Sequence, residues 1–419
     1  MANIKPFKAI TYSRELFKNI NNLICPPYDV ISSQESEFYR TLNKYNIINL
    51  ELPPGNNPYQ NAKNTLTNWL NNRILIQYTE NSLYIYEQEF KLNNQIKTLQ
   101  GIICLVKLEE FDKDIIIPHE RTIKKAKQDR LNLLKSTACN ISSICSIYED
   151  SSNSIKNAIN MLHYNTPDIE AIDLNNHTHK IWKISNKEFI SNIKNMFINK
   201  QLFIADGHHR YETALAYSKM SNLNNSKYTM MTLINFQDNG LLVLPTHRIL
   251  NKSLDINYKN IVNSCKQYFH ISKFMNKHEA LDYLNDPNFR DIPSFVMYCG
   301  NNLSFLFRIK DFSNLKKMFP HSSEQMISLD TFILQELIFK NLLHMQESDI
   351  RENQNISYTN DSNKAYQAVD DNEAICSFIV KASNIKSICR IALNHEIMPQ
   401  KTTYFYPKLP TGLILNKIS

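Results

Sequence analysis

Glycine is scarce in this sequence, and its scarcity excludes several kinds of nucleotide site. The 419 residues include six glycines, where about thirty would be usual for a chain of this length. Neither a glycine-rich dinucleotide fingerprint nor a Walker-type phosphate loop can be found with so few. Where the composition disfavours glycine, each remaining glycine is more apt to meet a backbone need, such as a positive φ or a close approach to a ligand.

Paired cysteines, long apolar runs and strong charge are also missing. The eight cysteines include no CxxC pair, which argues against a zinc ribbon or a disulfide framework and favours a reduced, cytoplasmic protein. No apolar run approaches the length of a membrane span, and the start of the chain has no apolar signal-peptide core. The net charge of +7 is modest and spread along the chain, so a nucleic-acid partner is not favoured.

What the sequence does contain is clearest at 201–214, QLFIADGHHRYETA. Apolar residues 202–205 predict a buried strand, Asp206 and Gly207 a tight turn, and the residues from His208 onward a helix. Such a corner directs backbone N–H groups and the positive end of a helix dipole at one point. Its polar side chains could bind an anion, hold a metal or move a proton. They are Asp206, His208, His209 and Arg210, and Glu212 follows in the body of the helix.

Similar polar clusters follow other apolar strands. Ligand sites of α/β proteins form at the carboxyl ends of strands, so we expect the clusters to converge on one pocket, although each alone also fits a solvated strand end. A pocket rich in Arg, Lys and His suits a phosphorylated ligand, and Asp206 or Glu120 would hold Mg²⁺ or deprotonate a hydroxyl nucleophile. The clusters are Tyr28-Asp29, His119-Glu120-Arg121-Thr122, Thr246-His247-Arg248 and Tyr358-Thr359-Asn360-Asp361. A proline- and aromatic-rich run near the end of the chain offers Lys401-Thr402-Thr403 to the same site.

Local patterns predict several further elements. Ser32 or Ser33 is placed to cap a helix, with Glu35 in its first turn. Residues 47–52 predict a short strand, 83–90 and 97–106 a hairpin, and 124–137 a helix. The segment from Asp330 to His344 also has a helical pattern. Together these predict a mixed α/β protein with two lobes, 1–250 carrying most polar motifs and 251–419, whose MPQKTTYFYPK segment returns to the site.

Five motifs give the chain a resemblance to a known family. PPYDVI, HERT followed by KxDR, ADGHHRYETAL, LPTHR and MPQKTTYFYPKLPTGL occur in this order over residues 1–415. Together they resemble the bacterial and archaeal domain of unknown function 1015 (DUF1015) family, which implies a single unit over that range. The DGHHR loop is similar, more distantly, to the ligand loop of the ParB/sulfiredoxin-like superfamily, which includes ADP-dependent free-serine kinases and nucleotide-binding partition proteins. This likeness implies that residues 206–210 meet nucleotide phosphates at a helix N-terminus. Thr402-Thr403 stands where Ser-Thr is expected after the lysine, and it keeps the hydroxyl chemistry.

Residues and resemblance together predict a cytoplasmic, nucleotide-binding phosphotransferase of the small-molecule kinase type. Its substrate would be a small hydroxylated metabolite such as serine, and its cofactor ATP or ADP with Mg²⁺. The alternatives are a non-catalytic ParB-like nucleotide sensor or switch, and a metal-dependent hydrolase. The catalytic candidates are Glu120, Asp206 and His209. The nucleotide- or phosphate-binding candidates are Gly207, His208, Arg210, Arg248 and Lys401. The substrate-binding or site-lining candidates are Tyr28, Asp29, His119, Thr122, Glu212, His247, Thr402 and Thr403.

Overall fold

The computed structural model describes residues 1–162, 166–252, 254, 256–347, 350 and 355–418. The chain is a mixed α/β protein with several sheets, and it divides into two compact units that are each discontinuous in sequence. Unit 1 comprises Met1–Pro118, Thr122–Leu242 and Pro407–Ser419, and unit 2 comprises His119–Arg121 and Val243–Tyr406. Among the described helices, none is long and apolar enough to cross a membrane.

The strands and helices are numbered here in chain order. The strands are β1 Ile4–Lys5, β2 Ile10–Tyr12, β3 Leu75–Gln77, β4 Leu83–Leu92, β5 Gln95–Lys107, β6 Ile116–Ile117, β7 Cys139–Asn140, β8 Ile144–Tyr148, β9 Ile169–Ile172, β10 Thr178–Ile184, β11 Leu202–Asp206, β12 Tyr228–Asn235, β13 Leu242–Leu244, β14 His247–Asn251, β15 Phe269–Phe274, β16 Ser294–Tyr298, β17 Ser304–Ile309, β18 Ile356–Thr359, β19 Ala374–Val380, β20 Tyr404–Tyr406 and β21 Asn416–Lys417. The α-helices are α1 Ser33–Leu42, α2 Ile48–Glu51, α3 Pro58–Asn71, α4 Lys124–Thr137, α5 Ser154–Asn160, α6 Lys187–Phe197, α7 His208–Met220, α8 Tyr258–Cys265, α9 Lys277–Leu284, α10 Phe312–Met318, α11 Glu324–Ile327, α12 Asp330–Phe332, α13 Ser362–Asp370 and α14 Ile385–Leu393. A π-helix, Ile333–Leu342, follows α12 directly.

Unit 1 is built on a nine-stranded sheet with the order β6-β11-β8-β12-β5-β4-β10-β9, to which β1 adds at β5. Strands β4 and β5 form the predicted hairpin. Both faces of the sheet are covered, because Tyr84 and Tyr86 of β4 pack in one hydrophobic cluster while Leu83 and Ile85 pack in another. Strand β11 lies between β6 and β8, and all its apolar residues are buried.

Unit 2 is built on a six-stranded antiparallel sheet with the order β15-β17-β16-β19-β14-β18. Helices α9 and α13 pack on it through a small cluster that includes Ala280 and Tyr366. Strands β13 and β20 form a separate two-stranded sheet.

Of three further local predictions, two are confirmed and one is wrong. The capping box is confirmed, since Ser32 and Glu35 exchange side-chain and backbone hydrogen bonds at the start of α1. Helix α4 has the predicted bounds. The predicted strand at 47–52 is wrong, because this short apolar run forms α2 instead, with the Asn46 side chain accepting a hydrogen bond from the Ile48 N–H.

Candidate functional site

In unit 1 the predicted strand–turn–helix corner is present, and its turn requires glycine for two reasons. Strand β11 ends at Asp206, and α7 begins at His208. Between them Gly207 has φ 95°, in the left-handed region that side-chain-bearing residues avoid. A Cβ at this position would also lie 2.9 Å from Nε of Arg210. Glycine therefore allows the Arg210 guanidinium to lie against the backbone of the turn.

Asp206 holds two cations. Its Oδ1 accepts a hydrogen bond from Nζ of Lys408, and its Oδ2 accepts one at 2.5 Å from Nη2 of Arg210. Burial alone would raise the pKa of Asp206, but Lys408 and Arg210 outweigh it and hold that pKa well below its usual range. A carboxylate stabilised in this way is a weak base. Two cationic side chains, those of Lys408 and Arg210, therefore lie beside this carboxylate at the N-terminal end of α7.

Arg210 is largely engaged within the protein. Its Nη1 donates at 2.5 Å to the carbonyl oxygen of Ser143, and its side chain is only 11% exposed. Its Nε is buried and has no hydrogen-bond partner among the described residues. Arg210 thus fixes the turn to the loop before β8.

His209 and Glu212 tie α7 to the start of α4. The Ile123 N–H donates at 2.8 Å to Nε2 of His209, so the neutral ring carries its proton on Nδ1. Burial lowers the pKa of His209, which favours this neutral form. Glu212 accepts hydrogen bonds from the Thr122 hydroxyl at 2.9 Å and from Nζ of Lys127 at 2.7 Å. His208, the first residue of α7, is buried.

The Tyr28-Asp29 cluster lies in a short 3₁₀ helix of unit 1. The guanidinium of Arg130 stacks on the Tyr28 ring, with Cζ of Arg130 4.3 Å from the ring centroid. Arg130 is buried, donates to the backbone oxygen of Glu51 at 2.9 Å, and lines a small pocket together with Glu51 and Arg210. Burial is the main cause that raises the pKa of Tyr28, so its hydroxyl stays protonated.

In unit 2, Thr403 joins two of the predicted residues. Its hydroxyl donates at 3.2 Å to Oε1 of Glu120 and lies 3.0 Å from Nε2 of His119. Since the single hydroxyl proton is given to Glu120, Nε2 of His119 is the donor in the second bond. The Met398 N–H also donates to the backbone oxygen of His119, at 3.1 Å. The 119–121 segment is thereby attached to the 398–403 segment.

Arg248 and His247 are engaged by the main chain of unit 2. Arg248 is 3% exposed and donates to the carbonyl oxygens of Thr246 and, at 3.2 Å, of Lys401. Burial lowers the pKa of Arg248 to about 10. His247 accepts the Val380 N–H on Nδ1 at 3.3 Å, and burial lowers its pKa to about 4. Both side chains therefore position backbone, and the turn at Lys401, which has φ 57°, is held by Arg248.

The sixteen predicted site residues are divided between the units. In unit 1 the structure places Tyr28, Asp29, Thr122, Asp206, Gly207, His208, His209, Arg210 and Glu212. In unit 2 it places His119, Glu120, His247, Arg248, Lys401, Thr402 and Thr403. Thr402 accepts a hydrogen bond from the Thr331 hydroxyl at 3.2 Å and donates to the Pro399 oxygen at 2.7 Å.

Sequence reasoning missed Lys408 and Arg130. Lys408 stands in the same motif as Lys401, 202 positions away from the Asp206 that it contacts. Arg130 is the arginine of the KxDR motif, to which no role was given. In both cases the sequence showed only that the residue belongs to a motif. The residues that it contacts are seen only in the fold.

The family model described as protein of unknown function (DUF1015) matches residues 4–332. No curated protein matches. Among solved structures, a variant of free serine kinase in complex with ADP is 12% identical with a TM-score of 0.39, covering 76% of this chain and 92% of that one. Free serine kinase in complex with AMP is 12% identical with a TM-score of 0.38, covering 76% and 91%. A conserved hypothetical protein from Pyrococcus furiosus is 12% identical with a TM-score of 0.35, covering 74% and 95%.

Proposed function

The chain belongs to DUF1015, a family of proteins of unknown function. From its own residues we propose that it is a nucleotide-binding phosphotransferase. Its donor is ATP or ADP with Mg²⁺, and its acceptor is a small hydroxylated metabolite, with serine as one candidate. The protein acts in the cytoplasm, in keeping with its unpaired cysteines.

The observation that supports this proposal is the corner between β11 and α7. Lys408 and Arg210 share the single charge of Asp206 at the N-terminus of a helix of 13 residues. Helix N-termini bind anions through free backbone N–H groups and the helix dipole. The cationic side chains of Lys408 and Arg210 beside this N-terminus add to the attraction. We assign the nucleotide phosphates to the turn at residues 207–209.

Glu120 is the proposed general base. Its carboxylate accepts a hydrogen bond from the Thr403 hydroxyl. In the transfer, the acceptor hydroxyl oxygen attacks the terminal phosphorus of the donor, its proton passes to Glu120, and the shortened nucleotide leaves. Mg²⁺, when bound, would neutralise charge on the phosphates, while Glu120 keeps its role as the base.

Ligand binding without turnover is the second candidate function. It is favoured by the low pKa of Asp206, which leaves the best-defined polar corner without an effective base. In that case the protein is a nucleotide-responsive switch, as the ParB-like resemblance also suggests. The two functions differ in one observable, the release of a phosphorylated product.

Calorimetry with ATP, ADP, AMP and pyrophosphate, each with and without Mg²⁺, tests the proposal. Lys408→Ala removes one of the two cations on Asp206 and should weaken nucleotide binding at least about tenfold, or 1.4 kcal/mol. Lys417→Ala is the matched control, because Lys417 lies in the same 407–418 segment with an exposed side chain. If the wild-type protein binds none of these compounds, the proposal is refuted. If a nucleotide binds but no hydroxylated acceptor is phosphorylated, the phosphotransferase is excluded and the nucleotide-responsive switch is supported.

A further inference from the structure

A cleft in unit 2 is lined by residues that the proposed function leaves unused. It has about 190 Å³ of internal space, a volume suited to a small metabolite. One wall is the chain at 397–400, immediately before Lys401. Another wall comprises Gln335, Glu336 and Lys340 of the π-helix, and Arg121 of the HERT motif also lines the cleft.

The π-helix is an unusual wall. It runs for ten residues, Ile333–Leu342, and its i→i+5 pattern is seen where the Leu343 N–H donates at 2.9 Å to the Ile338 oxygen. π-Helices are rare, are mostly single-turn bulges, and occur frequently at functional sites. Its apolar residues, such as Leu337, are buried on the other side. The arrangement turns Glu336 and Lys340 towards the cleft.

The charges of the lining are unevenly satisfied. Lys340 donates to both carboxylate oxygens of Glu336, at 2.7 and 3.0 Å, and lies 3.9 Å from an oxygen of Glu347. Arg121 is exposed, and within the part of the chain that the structure describes it makes no ion pair and no hydrogen bond. Of the two described cations that line the cleft, Lys340 is thus neutralised by the protein and Arg121 is not.

We propose that this cleft binds the acceptor substrate through a carboxylate on Arg121, so that the substrate is a small hydroxylated organic acid. That the bound molecule is the acceptor rests on the proposed function. The contact between its carboxylate and Arg121 does not. A guanidinium binds a carboxylate with two parallel hydrogen bonds, and the side chains of Phe332 and Met398 offer apolar contact to the rest of the molecule. Arg121 is a specificity residue, next in sequence to Glu120.

Direct binding to the full chain tests the proposal without any nucleotide. The probes are two acids, glycerate and L-serine, and their counterparts without the carboxylate, glycerol and serinol, each followed by ligand-observed NMR. We expect each acid to bind wild-type protein at least tenfold more tightly than its counterpart without the carboxylate. Arg121→Gln should abolish that preference, and Arg121→Lys should restore part of it. Lys125→Gln, which removes an exposed charge four residues away, should leave it intact.

The outcomes separate this inference from the proposed function. ADP binding is measured on the same preparations, and Arg121→Gln should bind ADP as wild type does. If ADP binds but the acids show no preference, or the preference survives Arg121→Gln, the cleft assignment is wrong and the phosphotransferase proposal stands. If the acids bind through Arg121 but no nucleotide binds, the cleft assignment stands and the phosphotransferase proposal is wrong.

Discussion

Gly207→Ala tests the corner between β11 and α7 most directly. At φ 95°, backbone strain in any residue with a side chain destabilises the folded state by roughly 1–2 kcal/mol. The new Cβ would also displace the Arg210 guanidinium, and loss of its charged hydrogen bond to Asp206 costs a further 1.5–3 kcal/mol or so. The expected loss of unfolding free energy is therefore about 2.5–5 kcal/mol, and nucleotide affinity should fall at least about tenfold.

Gly55→Ala is the control for this prediction. Gly55 also lies in unit 1, has φ 88°, and its added Cβ meets only the end of the flexible Asn61 side chain, at 3.1 Å. It should therefore lose only the roughly 1–2 kcal/mol of backbone strain, and it should bind nucleotide normally. Thermal unfolding and calorimetry measure both effects, at about 2–4 °C in Tm per kcal/mol for a unit of this size. Equal losses of stability and of affinity in the two variants would show that the contact of Gly207 with Arg210 has no role.

Three further predictions concern other side chains. Glu120→Gln removes the proposed base at constant size, so phosphoryl transfer should fall at least about 100-fold while calorimetry shows ADP binding unchanged; full activity would exclude Glu120 as the base. Burial lowers the pKa of His247 to about 4, below the value of about 6.5 in an unfolded chain. The unfolded chain therefore binds the proton first, and stability falls as pH drops from about 6.5 towards 4. His247→Gln, whose amide still accepts a hydrogen bond, should flatten the decline of Tm over that range, and an unaltered profile would contradict this. His179 is fully buried, with hydrogen-bonding distances of 2.9 Å to Tyr86 and 3.2 Å to Asp173. His179→Ala should lower the unfolding free energy, measured by urea titration, by about 2–3 kcal/mol. A change below experimental error would mean that the hydrogen bonds of His179 do not contribute to stability.

Features set by neighbouring residues were predictable from the sequence. The corner at 206–210 followed from an apolar run, a glycine and a helical pattern, and the structure has β11, Gly207 and α7 there. The hairpin of β4 and β5 followed from alternating side chains. In each case the physical cause acts within one short stretch of consecutive residues.

Features set by distant partners were not predictable in this way. Nothing near Lys408 indicates Asp206, and nothing near 119–121 indicates that these three residues belong with unit 2. A helical pattern was expected for 330–344, but the choice of a π-helix at Ile333–Leu342 depends on packing that a helical period does not encode. At 47–52 an apolar run was too short to distinguish a strand from a buried helix.

The discontinuity of unit 1 has a consequence for the order in which the chain matures during synthesis. Residues 407–418 are made after unit 2, and they bring Lys408, strand β21 and the bridges from Leu415 to Ile10 and from Thr411 to Cys25. A nascent chain that ends at residue 406 has all of unit 2 but lacks these contacts of unit 1. Unit 1 is therefore the last to be completed, although most of it leaves the ribosome first.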